Sequence, residues 1–318
     1  MRQFNETAAA EARARQDSLT KPPGALGRLE ELAVFMAGWQ GTARPCIDRA
    51  QALVFAGNHG VAAQGVSPFP ASVTAAMVAN FRAGGAAINQ LCRLAGAELS
   101  VHELDLDRPT RDFTTDTAMA TPEVEAAMRR GAEAVDPAAQ VLILGEMGIG
   151  NSTVSAALAA SVLGGRAEDW VGPGTGATGE VLARKTQVVA QGLARHAPQD
   201  TVGTLAAFGG REQAAICGAI VQARKLGIPV ILDGFICSAA ACVLTRDDHD
   251  ALAHCLIGHE SAEPGHRRLI AALGLPPILS LDMRLGEGTG AAVALMVLRA
   301  ALECHNGMAT FAEAGIAN

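Results

Sequence analysis

The chain reads as an α/β protein: a Rossmann-like parallel sheet with helices on both faces and a small helical subdomain drawn from both chain ends. Two observations predict the sheet. Apolar runs at 51–57, 98–104, 139–145, 228–234 and 276–282 suit strands covered on both sides, and each run is followed by a glycine-containing loop and an alanine-rich stretch of helical length. Composition supplies a third. At 318 residues and 49% hydrophobic the chain can bury a large core, and 35 glycines against 3% aromatics suit close packing of helix on sheet.

Residues 6–18, rich in Ala, Glu and Arg, predict a helix stopped by Lys21-Pro-Pro-Gly24, and Leu26 to Trp39 predict a second, amphipathic one. The first strand, QALVFAG at 51–57, opens into Gly57-Asn-His-Gly60; beyond it Ser67 and Pro68-Phe-Pro70 form a proline-stiffened loop. The strand at 98–104 follows, and then AQVLILG at 139–145, which runs into Gly145-Glu-Met-Gly-Ile-Gly-Asn151. The strand at 228–234 ends on Asp233-Gly234, and that at 276–282 leads into Arg284 to Gly290. Ligands of doubly wound sheets sit beyond the carboxyl ends of the strands, so these loops should converge on one rim. The expected division is a large catalytic domain, 41–292, and a helical subdomain of 1–40 with 293–318.

Several function classes recede on composition. A net charge of −7 with no tyrosine is a poor surface for nucleic acid. Met1 to Asp17 is polar and no apolar run approaches the ~20 residues of a membrane span, so neither export nor a membrane partner is expected. Seven cysteines without a C-x-x-C pair suit reduced, buried thiols and a cytoplasmic protein.

Gly145 to Asn151 has the physical design of a phosphate turn: glycines let the backbone approach an anion, and Asn151-Ser-Thr153 open a helix whose free N–H groups favour negative charge. It has neither a Walker ending nor dinucleotide spacing, and a turn needed only for packing explains the spacing equally well. Val171-Gly-Pro-Gly-Thr-Gly176 could add donors or be an ordinary loop. Glu287, held between Gly286 and Gly288, is a candidate general base, against a plain reading as an acid favoured by a helix dipole. Lys185 reads by itself as a solvated helix residue, whereas Asp233 at the end of an apolar strand faces the ligand rim. His254, Cys255, His259 and His266 invite a zinc reading, but H-E-x-x-H is incomplete; neither a metal nor another cofactor is expected.

Together these stretches resemble the nicotinate-nucleotide–dimethylbenzimidazole phosphoribosyltransferase family over nearly the whole chain. The likeness runs through Leu19 to Glu30, Ala56-Gly-Asn-His-Gly-Val61, Gly65 to Pro70, Gly145 to Thr153, Gly172 to Gly176, Asp233-Gly-Phe235, Ser261-Ala-Glu-Pro-Gly-His266 and Arg284 to Gly290. It implies a homodimer that moves the 5-phosphoribosyl group of nicotinate mononucleotide onto 5,6-dimethylbenzimidazole. Glu287 matches the family's catalytic base, and Glu146 and Lys185 an acid and a lysine of the same site. The turns carrying Gly148, Gly150 and Asn151 and then Gly174, Thr175 and Gly176 match those holding the nucleotide, while Ser67, Met147 and Leu285 fall where the benzimidazole is enclosed. Asn58, Ala76, Ala177 and Thr178 depart from the family pattern, which bears on base selectivity. The alternative is a non-catalytic nucleotide- or azole-binding protein on the same fold, distinguished by whether nicotinate is released.

Overall fold

The structure, a computed structural model, describes residues 1–316; 317–318, the end of the expected helical subdomain, lie outside the described residues. Helices α1 (Glu6–Ser18) and α2 (Arg28–Gln40) precede the sheet. Strand β1 (Ala50–Ala56) is followed by α3 (Ser72–Arg82) and α4 (Ala87–Ala95), then β2 (Ala97–Glu103), α5 (Thr121–Glu133) and β3 (Val141–Met147). Four helices come next: α6 (Asn151–Leu163), α7 (Gly179–Arg195), α8 (Thr201–Phe208) and α9 (Arg211–Leu226). Then follow β4 (Val230–Leu232), α10 (Phe235–Val243), β5 (Cys255–Glu260), α11 (Pro264–Leu273), β6 (Pro277–Ser280) and α12 (Thr289–Gly307).

The six strands form one sheet in the order β2-β1-β3-β4-β5-β6, every pair parallel. Strand side chains alternate between two cores. Leu53, Phe55, Leu142, Leu144, Val230 and Leu232 face one, with α6, α9 and α10; Ala52, Val54, Ile143, Ile231 and Leu256 face the other, with α2, α4 and α12. The central strands are therefore apolar on both sides, as expected, whereas the edge strand β2 is mostly half-exposed and carries Glu98, Ser100 and His102.

One strand of the six, β5, is not among the five apolar runs. Its apolar content is only Leu256-Ile257 between Cys255 and Gly-His-Glu260, and its histidines suggest ligands before they suggest a strand. Gly258 explains the interruption. A Cβ there would lie 2.8 Å from Ala291 Cα, so glycine lets α12 cross the sheet closely. Two of the histidines weighed for zinc are engaged otherwise: His254 Nε2 bonds Ile220 O at 3.0 Å, and His266 accepts from Ser261 N at 3.0 Å through Nδ1, leaving Nε2 to donate to Ser238 Oγ at 3.1 Å. Burial lowers both to about 3. Among the described residues no three His, Cys, Asp or Glu side chains are grouped to share a metal ion.

The chain ends meet. Arg15 donates to the carbonyls of His305, Asn306 and Met308, and Leu19 bridges Thr310. Helix α12 also enters the sheet's core through Ala291, Ala292, Ala294, Leu295 and Leu298. All seven cysteines are free thiols; five are buried, but Cys46 is exposed and Cys304 half-buried, unlike the expectation for those two. Among the described residues no helix is long and apolar enough to cross a membrane.

Candidate active site

Strand order reverses at β1/β3, the chain passing from β1 to β2 on one side and to β3 on the other. Ligands of open parallel sheets sit beyond the strand ends at such a switch point. There the turn after β3 meets the loop before α12. Gly145 makes the meeting possible: a Cβ on it would lie 2.6 Å from the carbonyl of Glu287 and from Gly288 N. The loop crosses on three successive left-handed residues, Gly286 (φ 83°), Glu287 (φ 65°) and Gly288 (φ 88°). For the two glycines this is inexpensive; Glu287 carries strain on the order of 1–2 kcal/mol.

Asp233, at the end of β4, secures that strained loop. Its Oδ2 accepts from Gly288 N at 3.1 Å and its Oδ1 from Ala291 N at 3.0 Å, at the start of α12. His259 Nε2 approaches the same Oδ1 at 3.6 Å from β5. Glu287 is buried and its Oε2 has no hydrogen-bond partner. Desolvation, with the nearby charge of Asp233, raises its pKa from 4.5 to about 7. Glu146, also buried, is raised to about 8, first by desolvation and then by the charges of Asp233 and Glu212; Asn151 Nδ2, which donates to its Oε2, pulls the other way. Burial thus holds both adjoining carboxyls toward their protonated forms.

The cleft above them is lined by Glu146, Met147, Gly148, Asn151, Gly174, Thr175 and Leu285 of the residues expected from sequence. Asp233, Glu287 and Lys185 are not in the lining itself; Glu287 adjoins the lining residue Gly286. Lys185 is 1% exposed, so it is no solvated helix residue. Its Nζ donates to Ser152 Oγ at 2.9 Å and Gly172 O at 2.8 Å, which ties the 172–176 loop to the start of α6, and burial lowers its pKa to about 8. Gly150 (φ 94°) turns the chain against Ala62, and Gly176 (φ 114°) shapes its loop without lining the cleft. Ser67 Oγ reaches Thr175 Oγ1 at 3.4 Å, while Leu285, 59% exposed, stands at the rim. Among the described residues, the amides of Gly150 and Ser152 have no backbone acceptor, whereas that of Gly174 is taken by Glu263.

His259, Ser261, Glu263 and Arg284 also line the cleft and were not singled out as substrate-binding groups. Three of them follow from the missed strand. Had β5 been recognised, the rule that ligands gather beyond strand ends would have marked Ser261 to Glu263.

A family model described as phosphoribosyltransferase matches residues 1–316. The nicotinate-nucleotide–dimethylbenzimidazole phosphoribosyltransferase of Rhodobacter capsulatus is 61% identical over 312 residues, 98% of this chain and 93% of that protein. This chain belongs to that family. The protein of the same name from Ruegeria pomeroyi is 58% identical over 98% of this chain and 93% of its own length. The crystal structure of CobT from Thermus thermophilus superposes with a TM-score of 0.93 at 42% identity, covering 98% of this chain and 99% of that one. The Rossmann-like α/β fold and membership of a phosphoribosyltransferase family therefore stand together.

Proposed function

We propose that this family member transfers the 5-phosphoribosyl group of nicotinate mononucleotide to 5,6-dimethylbenzimidazole, giving α-ribazole 5′-phosphate and nicotinate in cobalamin biosynthesis. The observation that carries the reading is Glu287: a buried carboxylate on strained backbone, with an unpartnered oxygen and a pKa near 7. The chemistry demands one such group. Nicotinate is bonded to C1′ as a pyridinium, so the C1′–N bond breaks with its electron pair returning to the ring, and no acid is needed. The azole's free nitrogen lone pair forms the new C1′–N bond, and the proton on its other nitrogen passes to Glu287. Glu146, raised by burial and by the charges of Asp233, Glu212 and Glu287, is held toward its neutral form beside that base.

The free amides of Gly150 and Ser152 at the start of α6 suit the 5′-phosphate, and the Lys185 ammonium close by offsets its charge. Holding the phosphate there keeps C1′ in line for attack, a positioning effect worth up to about 7–11 kcal/mol in ideal intramolecular cases. Met147 and Leu285, with Ser67 across from Thr175, offer an apolar slot for the benzimidazole. The scheme calls for no metal or organic cofactor.

The same reading includes a homodimer in the cytoplasm, supported by apolar side chains left exposed at Phe69, Leu281 and Leu285 and by the seven free thiols. It also includes a large catalytic domain, 41–292, and a helical subdomain from the two ends, supported by the Arg15 and Leu19 contacts and continuous with the large domain through α12, whose Ala294, Leu295 and Leu298 pack into the sheet's core. Purified protein given both substrates should yield α-ribazole 5′-phosphate and free nicotinate by mass spectrometry. Tight binding of both without nicotinate release would favour the non-catalytic alternative.

A further inference from the structure

Glu263 lies just beyond β5, immediately before Pro264 opens α11, and is one of the residues that line the cleft. It is 7% exposed. One oxygen is committed: Oε1 accepts from Gly174 N at 2.8 Å. The other, Oε2, is buried and has no hydrogen-bond donor among the described residues. It lies against Gly172, where a Cβ would meet it at 2.2 Å, so glycine is required to admit it. The Lys185 ammonium feels the charge of Glu263 but is hydrogen-bonded to Ser152 and Gly172 O and makes no ion pair with it.

A buried carboxylate oxygen without a donor is costly unless a ligand completes it. Resting on the transferase reading above, the substrates offer few donors. The phosphate and the nicotinate carboxylate only accept and would be repelled. The single azole N–H is the proton that Glu287 removes. What remains is the ribose, whose two hydroxyls both donate. We propose that Glu263 is a specificity-determining residue that accepts a hydrogen bond from a ribose hydroxyl of the nucleotide, while its other oxygen fixes the Gly174 turn. The charges agree with this placement, since Glu263 is the source of the one attractive charge acting on Lys185.

The test compares nicotinate mononucleotide with its 2′-deoxy and 3′-deoxy analogues, and with the corresponding deoxyfluoro analogues, on the parent and on Glu263→Gln. Glutamine keeps an oxygen for Gly174 N, but its other terminal atom donates instead of accepting. Intrinsic reactivity differences among analogues cancel when the ribo-to-deoxy ratio is compared between the two proteins. The parent should discriminate by about 10–100-fold in kcat/KM at one hydroxyl, the range of a hydrogen bond to a charged group. In Glu263→Gln that ratio should fall to about tenfold or less, and the fluoro analogue, an acceptor that cannot donate, should gain on the deoxy one. A variant that keeps the parent's ratios at both positions overturns the assignment. If the variant folds but turns over too slowly, calorimetric affinities replace the rates: equal losses for the ribo and deoxy forms would make Glu263 a loop support only. A parent protein that releases no nicotinate from the natural substrate would instead refute the transferase reading beneath.

Discussion

Glu287→Gln should make the protein more stable as it makes it inactive, and the gain should depend on pH in a calculable way. The carboxyl is raised from 4.5 to about 7 by burial and by Asp233. A raised acid is more protonated in the folded than in the unfolded chain, so between these values stability falls as pH rises, and the full penalty stands above 7. At about 1.4 kcal/mol per tenfold, the raised pKa of Glu287 lowers stability by about 3 kcal/mol at pH 8.5 and by about 1 kcal/mol at pH 5. Glutamine has the same size and the same left-handed strain but no charge to desolvate. Any cost of burying its amide is the same at both pH values, so the diagnostic quantity is the growth of the difference, about 2.5 kcal/mol from pH 5 to pH 8.5. Urea unfolding of both proteins at the two pH values measures it. Turnover should drop by about 10²–10⁴, with nucleotide affinity changed much less. A stability difference that does not change with pH would refute the desolvation argument, and near-parental turnover would remove Glu287 from the role of base.

Gly145→Ala should lower turnover by about 10²-fold and lower the melting temperature, because the new methyl collides with backbone at Glu287 and Gly288 and displaces the base; parental kcat at pH 8 would count against the proposed crossing. Asp233→Asn removes a charge that raises both Glu287 and Glu146, so the rising limb of kcat/KM against pH should move below 7; an unmoved limb would assign that pH dependence elsewhere. With an apolar slot at Met147 and Leu285, benzimidazole without methyls should still react, within roughly 10–200-fold of dimethylbenzimidazole, and adenine should lag because its amine lacks an assured partner. Competition at equal concentrations reads this out, and an adenine rate equal to the dimethylbenzimidazole rate would sink the slot but not the transferase.

Much of this protein is written locally, and that part was legible. Both N-terminal helices, five strands to within a few residues, and the loops at their carboxyl ends follow from hydrophobic pattern and from glycine and proline placement. So does the prominence of Glu287, because a single acid between two glycines is a local signature. β5 escaped because its character is tertiary: Gly258 serves the approach of Ala291, and His259 serves the cleft, neither of which leaves an apolar run. Glu263, quoted within a family-like stretch, was assigned no role for the same reason. Lys185 illustrates the opposite difficulty, since a lysine on a helix is ordinarily solvated, and only the packing of α7 against the Ser152 and Gly172 carbonyl region buries it. Proton affinities belong wholly to the fold: Glu146 and Glu287 are distant in sequence and ordinary as residue types. Their values near 8 and 7 arise because the sheet brings them with Asp233 into one water-poor site. Sequence specifies which atoms are available and where the chain turns; desolvation and the sum of nearby charges exist only once distant strand ends share one rim.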